Sequence, residues 1–251
     1  MSRSKKREGG NSNPLNNIIS YKPNSGEFQV YNKANKSRST RGALEIIILD
    51  ADRNSISGYA NDYDAGIICN SVVNTRKEEL VLGVFKDGQY KEILKGFYQD
   101  IKNDIEGGKY TRDVYCLLVE AGNYSLSILQ LTGMARSQFD EWFRDASNKP
   151  LANVLTLTPS KDIYNYAKKT KTLEVVPKDA QKRWRTTWLR TLGISCEPLS
   201  KSEDDLAFAE DEVLQNYLSS ESGSSVEPEP AKELVAAGGS EEEDDEDGLP
   251  F

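Results

Sequence analysis

Four aspartates come as two pairs of equal spacing, Asp50 with Asp52 and Asp62 with Asp64. Residues two apart in an extended segment share one face. Each pair could therefore hold a magnesium ion through hard oxygen ligands and position water for phosphodiester cleavage. The chain contains no histidine, which removes every mechanism built on an imidazole base or ligand. A carboxylate-only site needs none. The competing reading is structural: "DADRNSISGYANDYD" (50–64) is rich in Asp, Asn and Gly, the residues that turn chemistry favours. A polar loop between strands is predicted there.

A second set of residues has the chemistry of stacking and charge. Tyr59 and Tyr63 lie in that same stretch, and Tyr164 and Tyr166 stand in "PSKDIYNYAKKTK" with Lys161, Lys168, Lys169 and Lys171. Further on, Trp184 and Trp188 are four residues apart, with Lys182, Arg183, Arg185 and Arg190 around them. Near the start, Tyr21, Phe28 and Tyr31 are interleaved with Lys22, Lys33, Lys36, Arg38 and Arg41. Aromatic faces hold bases while cations follow a phosphate backbone, the composition of a sequence-tolerant single-strand groove. Taken singly, each tyrosine suits half-buried packing better, and Trp188 suits the inner side of a helix. The set carries the functional reading. "EGGKYT" (106–111) fails as a phosphate loop, because Tyr110 replaces the metal-binding hydroxyl and Asn103 the first glycine.

Charge is distributed unevenly. Residues 201–251 hold 17 acidic side chains and two basic ones, whereas residues 1–41 hold nine basic and two acidic. Residues 161–190 add nine basic against three acidic. A basic body suggests a polyanion ligand, and the acidic end is able to imitate that ligand. The apolar fraction of 37% lies below the globular average of about 45–50%, so part of the chain is expected to remain unpacked. No apolar run reaches membrane-span length, and "MSRSKKREGG" lacks the apolar region of a secretory signal. Cys69, Cys116 and Cys196 are far apart without a CxxC, which predicts reduced thiols inside a cell and no cofactor or metal held by them.

The elements that must position these groups follow from hydrophobic pattern. Residues 1–41 read as a flexible basic arm with an edge strand near "EFQVY". Strands are predicted at "ALEIIILD" (43–50), "GIICNSVV" (66–73), "LVLGVF" (80–85) and "QYKEIL" (89–94), with Asp87-Gly88 as a hairpin turn. Leu94, Phe97, Ile101 and Ile105 fall at helical spacing, with Gly107-Gly108 as the stop. Strands resume at "DVYCLLVE" (113–120) and "YSLSILQL" (124–131) about a turn at Gly122-Asn123, then at "NVLTLT" (153–158) and "TLEVV" (172–176). Helices are predicted over about 134–146, with Phe139, Trp142 and Phe143 inside, and over about 178–192. The fold class is mainly β with inserted helices (α+β), and the hairpins favour a small antiparallel barrel over residues 42–200. Residues 201–240 read as a flexible linker with one weak helix, "DDLAFAEDEVLQNYL".

The last stretch, "SEEEDDEDGLPF", places seven consecutive carboxylates before Gly-Leu-Pro-Phe. Such a block cannot fold alone. "DDEDGLPF" resembles the C-terminal tip of bacterial single-stranded DNA-binding proteins, an acidic run followed by Ile-Pro-Phe, with Leu249 here in place of isoleucine. Phage single-stranded DNA-binding proteins of the OB-fold type are similar in ending with an acidic tail and an aromatic. The resemblance covers about the last dozen residues. It implies an OB-like, non-enzymatic, cofactor-free protein acting in DNA replication, recombination or repair. It also implies a place in the cytoplasm of a phage-infected or element-carrying bacterial cell. In this family Asp244, Asp245, Glu246 and Asp247 would meet basic residues on a partner (a polymerase, helicase, primase or nuclease), while Leu249, Pro250 and Phe251 enter its apolar pocket. The same block could occupy the protein's own groove when DNA is absent. The groove itself is expected to draw on Lys33, Lys36, Arg38, Arg41, Tyr59, Tyr63, Lys161, Tyr164, Tyr166, Lys168, Lys169, Lys171, Arg183, Trp184 and Arg185. A metal-dependent nuclease and a DNA-mimicking interaction protein are the competing classes.

Overall fold

The computed structural model describes residues 13–167, 172–176 and 188–221. The chain is mostly β with some helices, and eleven strands form one open, mixed sheet. Its first three strands are β1 (Asn17–Lys22), β2 (Glu27–Asn32) and β3 (Ser37–Arg41), an antiparallel meander. Residues 17–41 were expected within a flexible arm. They are ordered instead because alternate residues Ile19, Tyr21, Phe28 and Val30 are buried in the core, a period-two pattern that the many Asn, Ser and Lys between them obscure.

The centre of the sheet is β4 (Leu44–Ala60), paired along most of its length with β8 (Gly108–Glu120), which pairs in turn with β9 (Asn123–Thr132). The predicted polar loop at 50–64 is therefore strand as far as Ala60. Register shifts at Ile48/Asp50 and Asp50/Arg53 mark bulges, and bulges bend a strand; the polar residues sit at that bend. β1 lies parallel to the far side of β9. Asn17 secures this join by donating to Ser125 and Ser127, both at 3.0 Å.

β5 (Ala65–Cys69), β6 (Leu80–Lys86) and β7 (Gln89–Gly96) extend the sheet beyond the end of β4. Asp87 and Gly88 form the turn between β6 and β7 with φ of 53° and 80°, the left-handed pair a two-residue hairpin requires. The helix expected from Leu94 shrinks to α1 (Tyr98–Ile101), since Leu94 belongs to β7. α2 (Gly133–Arg144) follows β9 and buries Ala135 and Phe139, with Trp142 and Phe143 packed beside them, against the inner face of the sheet.

β10 (Asn153–Pro159) pairs with the start of β4 and with β14 (Leu192–Pro198). Between them a separate small sheet holds β11 (Tyr164–Ala167), β12 (Thr172–Val175) and β13 (Trp188–Leu189). Trp188 and Leu189 are thus strand, where a helix was predicted; the rest of that predicted helix lies outside the described residues apart from Arg190 to Leu192. A closed barrel was expected, but the sheet is open, with β3 and β7 at the two ends of the strand order among the described residues. The amide of Arg190 donates to the carbonyl of Pro23 at 2.8 Å in the β1–β2 turn.

α3 (Lys201–Glu221) is a long helix on the outer face of the sheet, burying Ala207, Leu214, Tyr217 and Leu218 against Ile47, Leu49, Tyr115, Leu117, Leu126 and Ile128. Residues 201–221 are therefore not linker. Burying each large apolar side chain contributes roughly 1.5–3 kcal/mol, which outweighs the weak helical preference of an acidic segment. No helix among the described residues is long and apolar enough to cross a membrane.

Candidate nucleic-acid interface

Side chains alternate between the faces of a strand, and α3 identifies the outer one. Ile18, Ile128 and Tyr115 lie in register under or beside that helix. One step further along the same face stand Ser20, Gln130 and Asp113. The next step brings Thr132 opposite Thr111, and on β1 Lys22, two residues past the Ser20–Gln130 pair that ends its ladder with β9. On β2, Tyr31 is opposite Ile18 and Gln29 opposite Ser20; on β3, Arg38 is opposite Tyr31 and Thr40 opposite Gln29. Past α3 the outer face thus changes from apolar to polar. Lys22, Gln29, Arg38 and Thr40 are exposed and Ser20, Tyr31 and Gln130 half-buried.

Three cations converge on this polar area. Partial desolvation of its head group at the sheet pushes the pKa of the Lys22 ammonium down, and the like charges of Lys109 and Arg38 push it further. Lys109 is exposed at the start of β8. Neither Lys22 nor Arg38 has a salt-bridge partner among the described residues, and Glu27 stands opposite Lys22 in the ladder. A sheet face of hydroxyls, amides, one tyrosine and clustered cations can track a phosphate backbone and leave bases free to stack.

The far border of this area is a buried polar knot. Asp113, 1% exposed, accepts hydrogen bonds from the Ser71 hydroxyl at 2.7 Å and from Gln130 at 3.3 Å. Burial pushes the Asp113 carboxyl pKa up, opposed by these hydrogen bonds and by the Arg112 charge. Arg53 pairs with Asp50 at 3.1 Å and donates to the Ser71 carbonyl. The segment at Ser71 and Val72, bonded to Asn54 in both directions, is thereby held onto the sheet.

The aspartate pairs do not form one cluster. Asp50 is taken by Arg53 and by the amide of Asp52, while Asp62 and Asp64 lie at the other end of β4. Among the described residues no three His, Cys, Asp or Glu side chains are grouped to hold a metal ion.

Of the sequence-predicted groove residues, Arg38 lies on the polar face. Lys33 and Lys36 are in the β2–β3 turn beside it, and Arg41, at the end of β3, pairs with Glu120 at 3.0 Å. Tyr59 closes β4 and donates to Asp64, while Tyr63 lies under the Lys91 ammonium, 4.8 Å from its ring centroid; both are engaged within their own turn and hairpin. Lys161 is exposed before β11, and its carbonyl accepts from Arg190 at 2.7 Å. Tyr164 opens β11, half-buried, and Tyr166 lies in the same strand. Lys168, Lys169, Lys171, Arg183, Trp184, Arg185 and the tip from Asp244 to Phe251 lie outside the described residues. Sequence reasoning missed Lys109, whose relation to Lys22 depends on two strands pairing around β9. It left Lys22 in the arm's basic background for the same reason.

No protein-family model, curated protein or solved structure matches this chain. Its class is therefore defined by architecture alone, an open mixed sheet covered by one helix on each face.

Proposed function

We propose that this chain is a non-enzymatic single-stranded DNA-binding protein that coats DNA in replication or recombination, in the cytoplasm of a phage-infected or element-carrying bacterial cell. The observation that carries the reading is the convergence of the exposed Lys22, Arg38 and Lys109 on a polar sheet face. The hydrogen bond that joins the β1–β2 turn at Pro23 to Arg190 supports an OB-like derivation of the sheet. The acidic segment with Leu249, Pro250 and Phe251 recruits partner proteins and competes with DNA for the basic face when no strand is bound.

Fluorescence titration of the full chain and a 1–240 truncation with oligo-dT and with duplex of equal length, over a salt series, tests this. Preference for the single strand, with the truncation binding more tightly at low salt, is the expected result. Absence of binding by both forms would end the proposal. Magnesium-dependent cleavage lost in Asp50→Asn would replace it with the nuclease reading.

A further inference from the structure

The other face of β8, at the same end, carries a group that the basic face does not use. β9 stops at Thr132, opposite Thr111, so residues 108–110 of β8 have no β9 neighbour. The first turn of α2 brings Arg136 onto Tyr110, with its guanidinium carbon 4.8 Å from the ring centroid. Tyr110 packs in turn on Tyr98 of α1, centroids 4.5 Å apart and planes tilted by 53°. Phe97, the residue before Tyr98, is 38% exposed.

Arg136 is electrostatically uncompensated. Nearby Arg112 takes Asp140 at 2.8 Å, but Arg136 has no salt bridge among the described residues, and its buried Nε–H has no acceptor. It also occupies the first turn of α2, where the helix dipole disfavours a cation and no acidic residue offsets it. A tyrosine face attracts the guanidinium but accepts none of its in-plane hydrogen bonds. The Nε–H is closed to a bound strand, but the residue is half-buried, and an oxyanion at the open part of the guanidinium supplies charge and acceptors together.

We propose that Arg136, Tyr110 and Tyr98 form a second contact for the bound strand, the guanidinium taking a phosphodiester oxygen and the half-buried Tyr98 the adjoining base, with Tyr110 held between them. This rests on the single-strand reading and deepens it. Lys109 and Tyr110 are consecutive and point to opposite faces. A backbone leaving Lys22 and Lys109 can turn over the unneighboured start of β8 and reach Arg136, which gives the strand a defined path.

The test is photocrosslinking of full-length protein to bromodeoxyuridine-substituted oligo-dT, with the modified peptide sequenced by mass spectrometry; it needs no variant. Crosslinks at Tyr98 or Tyr110 are expected, and crosslinks confined to other segments overturn the assignment. In titrations with oligo-dT, Arg136→Gln is expected to lose about tenfold in affinity, with the salt slope reduced by about 0.7, the share of one phosphate on a single strand. Unchanged affinity and slope in Arg136→Gln, with Lys22→Glu weakened, overturn this contact and leave the basic face standing. If the wild type binds no oligonucleotide, both readings fall. Stabilisation of wild type but not Arg136→Gln by inorganic phosphate, with equal oligonucleotide affinity in both, assigns the site to free phosphate and overturns the strand path.

Discussion

Tyr21 and Arg190 meet in one hydrogen bond of 2.9 Å, from the phenol hydroxyl to the arginine carbonyl, across 169 residues of chain. With the Arg190 amide on the Pro23 carbonyl, it draws the first hairpin toward the strand that ends the other side of the sheet. Arg190 also donates to the carbonyls of Ser160 and Lys161, so the same residue gathers the base of the small sheet formed by β11 to β13.

This junction has a pH signature. Burial pushes the Tyr21 hydroxyl up to about 12 from 10.0, only partly opposed by the Arg190 charge. A folded pKa above the unfolded value means that stability is intact below pH 10 and is lost as pH rises toward 12. Tyr21→Phe is expected to flatten that loss in urea titrations between pH 9 and 12 while costing about 1 kcal/mol at neutral pH for the missing hydrogen bond. Part of the alkaline slope remains, because the buried Cys116 thiol is also pushed up to about 12. An identical slope in the variant would assign the whole effect elsewhere.

The basic face makes a prediction about salt. Lys22→Glu and Lys109→Glu each remove one cation and add one anion where three cations converge. Each is expected to weaken oligo-dT binding by about tenfold at low salt and to lower the salt slope by about 0.7 or more. Thermal stability should stay near wild type, since both side chains are exposed and relief of like-charge repulsion favours the fold. Lys91→Glu, on Tyr63 in the β5–β7 extension, serves as the comparison, and equal weakening there would show that the effect is net charge alone.

α3 makes a prediction about stability. Leu214 is 0% exposed in the cluster with Ile47 and Tyr115, so Leu214→Ala is expected to cost about 2–5 kcal/mol. Val213→Ala, 44% exposed on the same helix, should change little. Denaturant midpoints of the pair separate a packed helix from a dispensable one. Equal midpoints would mean that the helix does not cover the sheet in solution.

Asp113 gives a dependence at lower pH. Burial holds its folded pKa above the unfolded value, so its contribution to stability is complete below about pH 4 and is lost as pH rises through the folded pKa. Asp113→Asn lacks that titration. Its melting temperature between pH 4 and 8 should show a smaller downward component than the wild type, and superimposable profiles would acquit this carboxyl.

The Asp87-Gly88 hairpin, α2 with Phe139 inside it and the strands around β8 and β9 were legible because each is a local pattern, one turn chemistry or one period. The turn at Gly122 was also legible, although the left-handed residues are Ala121 and Gly122 rather than Gly122 and Asn123. β4 was cut short at Asp50 because polar residues at a bulge resemble a loop, and only the ladder with β8 carries the strand through them. The first meander was hidden by its own polar face.

The sequence by itself determined the β-rich class, the division between a basic body and an acidic end, and the absence of imidazole chemistry, since composition and short-range periodicity are enough for these. Tertiary structure decided which cations act together. Lys22 and Lys109 are 87 positions apart in the numbering and become neighbours only because β1 joins β9 in parallel and β9 joins β8. Tertiary structure also turned an acidic stretch into a covering helix, because the apolar outer face of β4, β8 and β9 has to be shielded from water. Long-range pairing of that kind leaves no mark in any one segment.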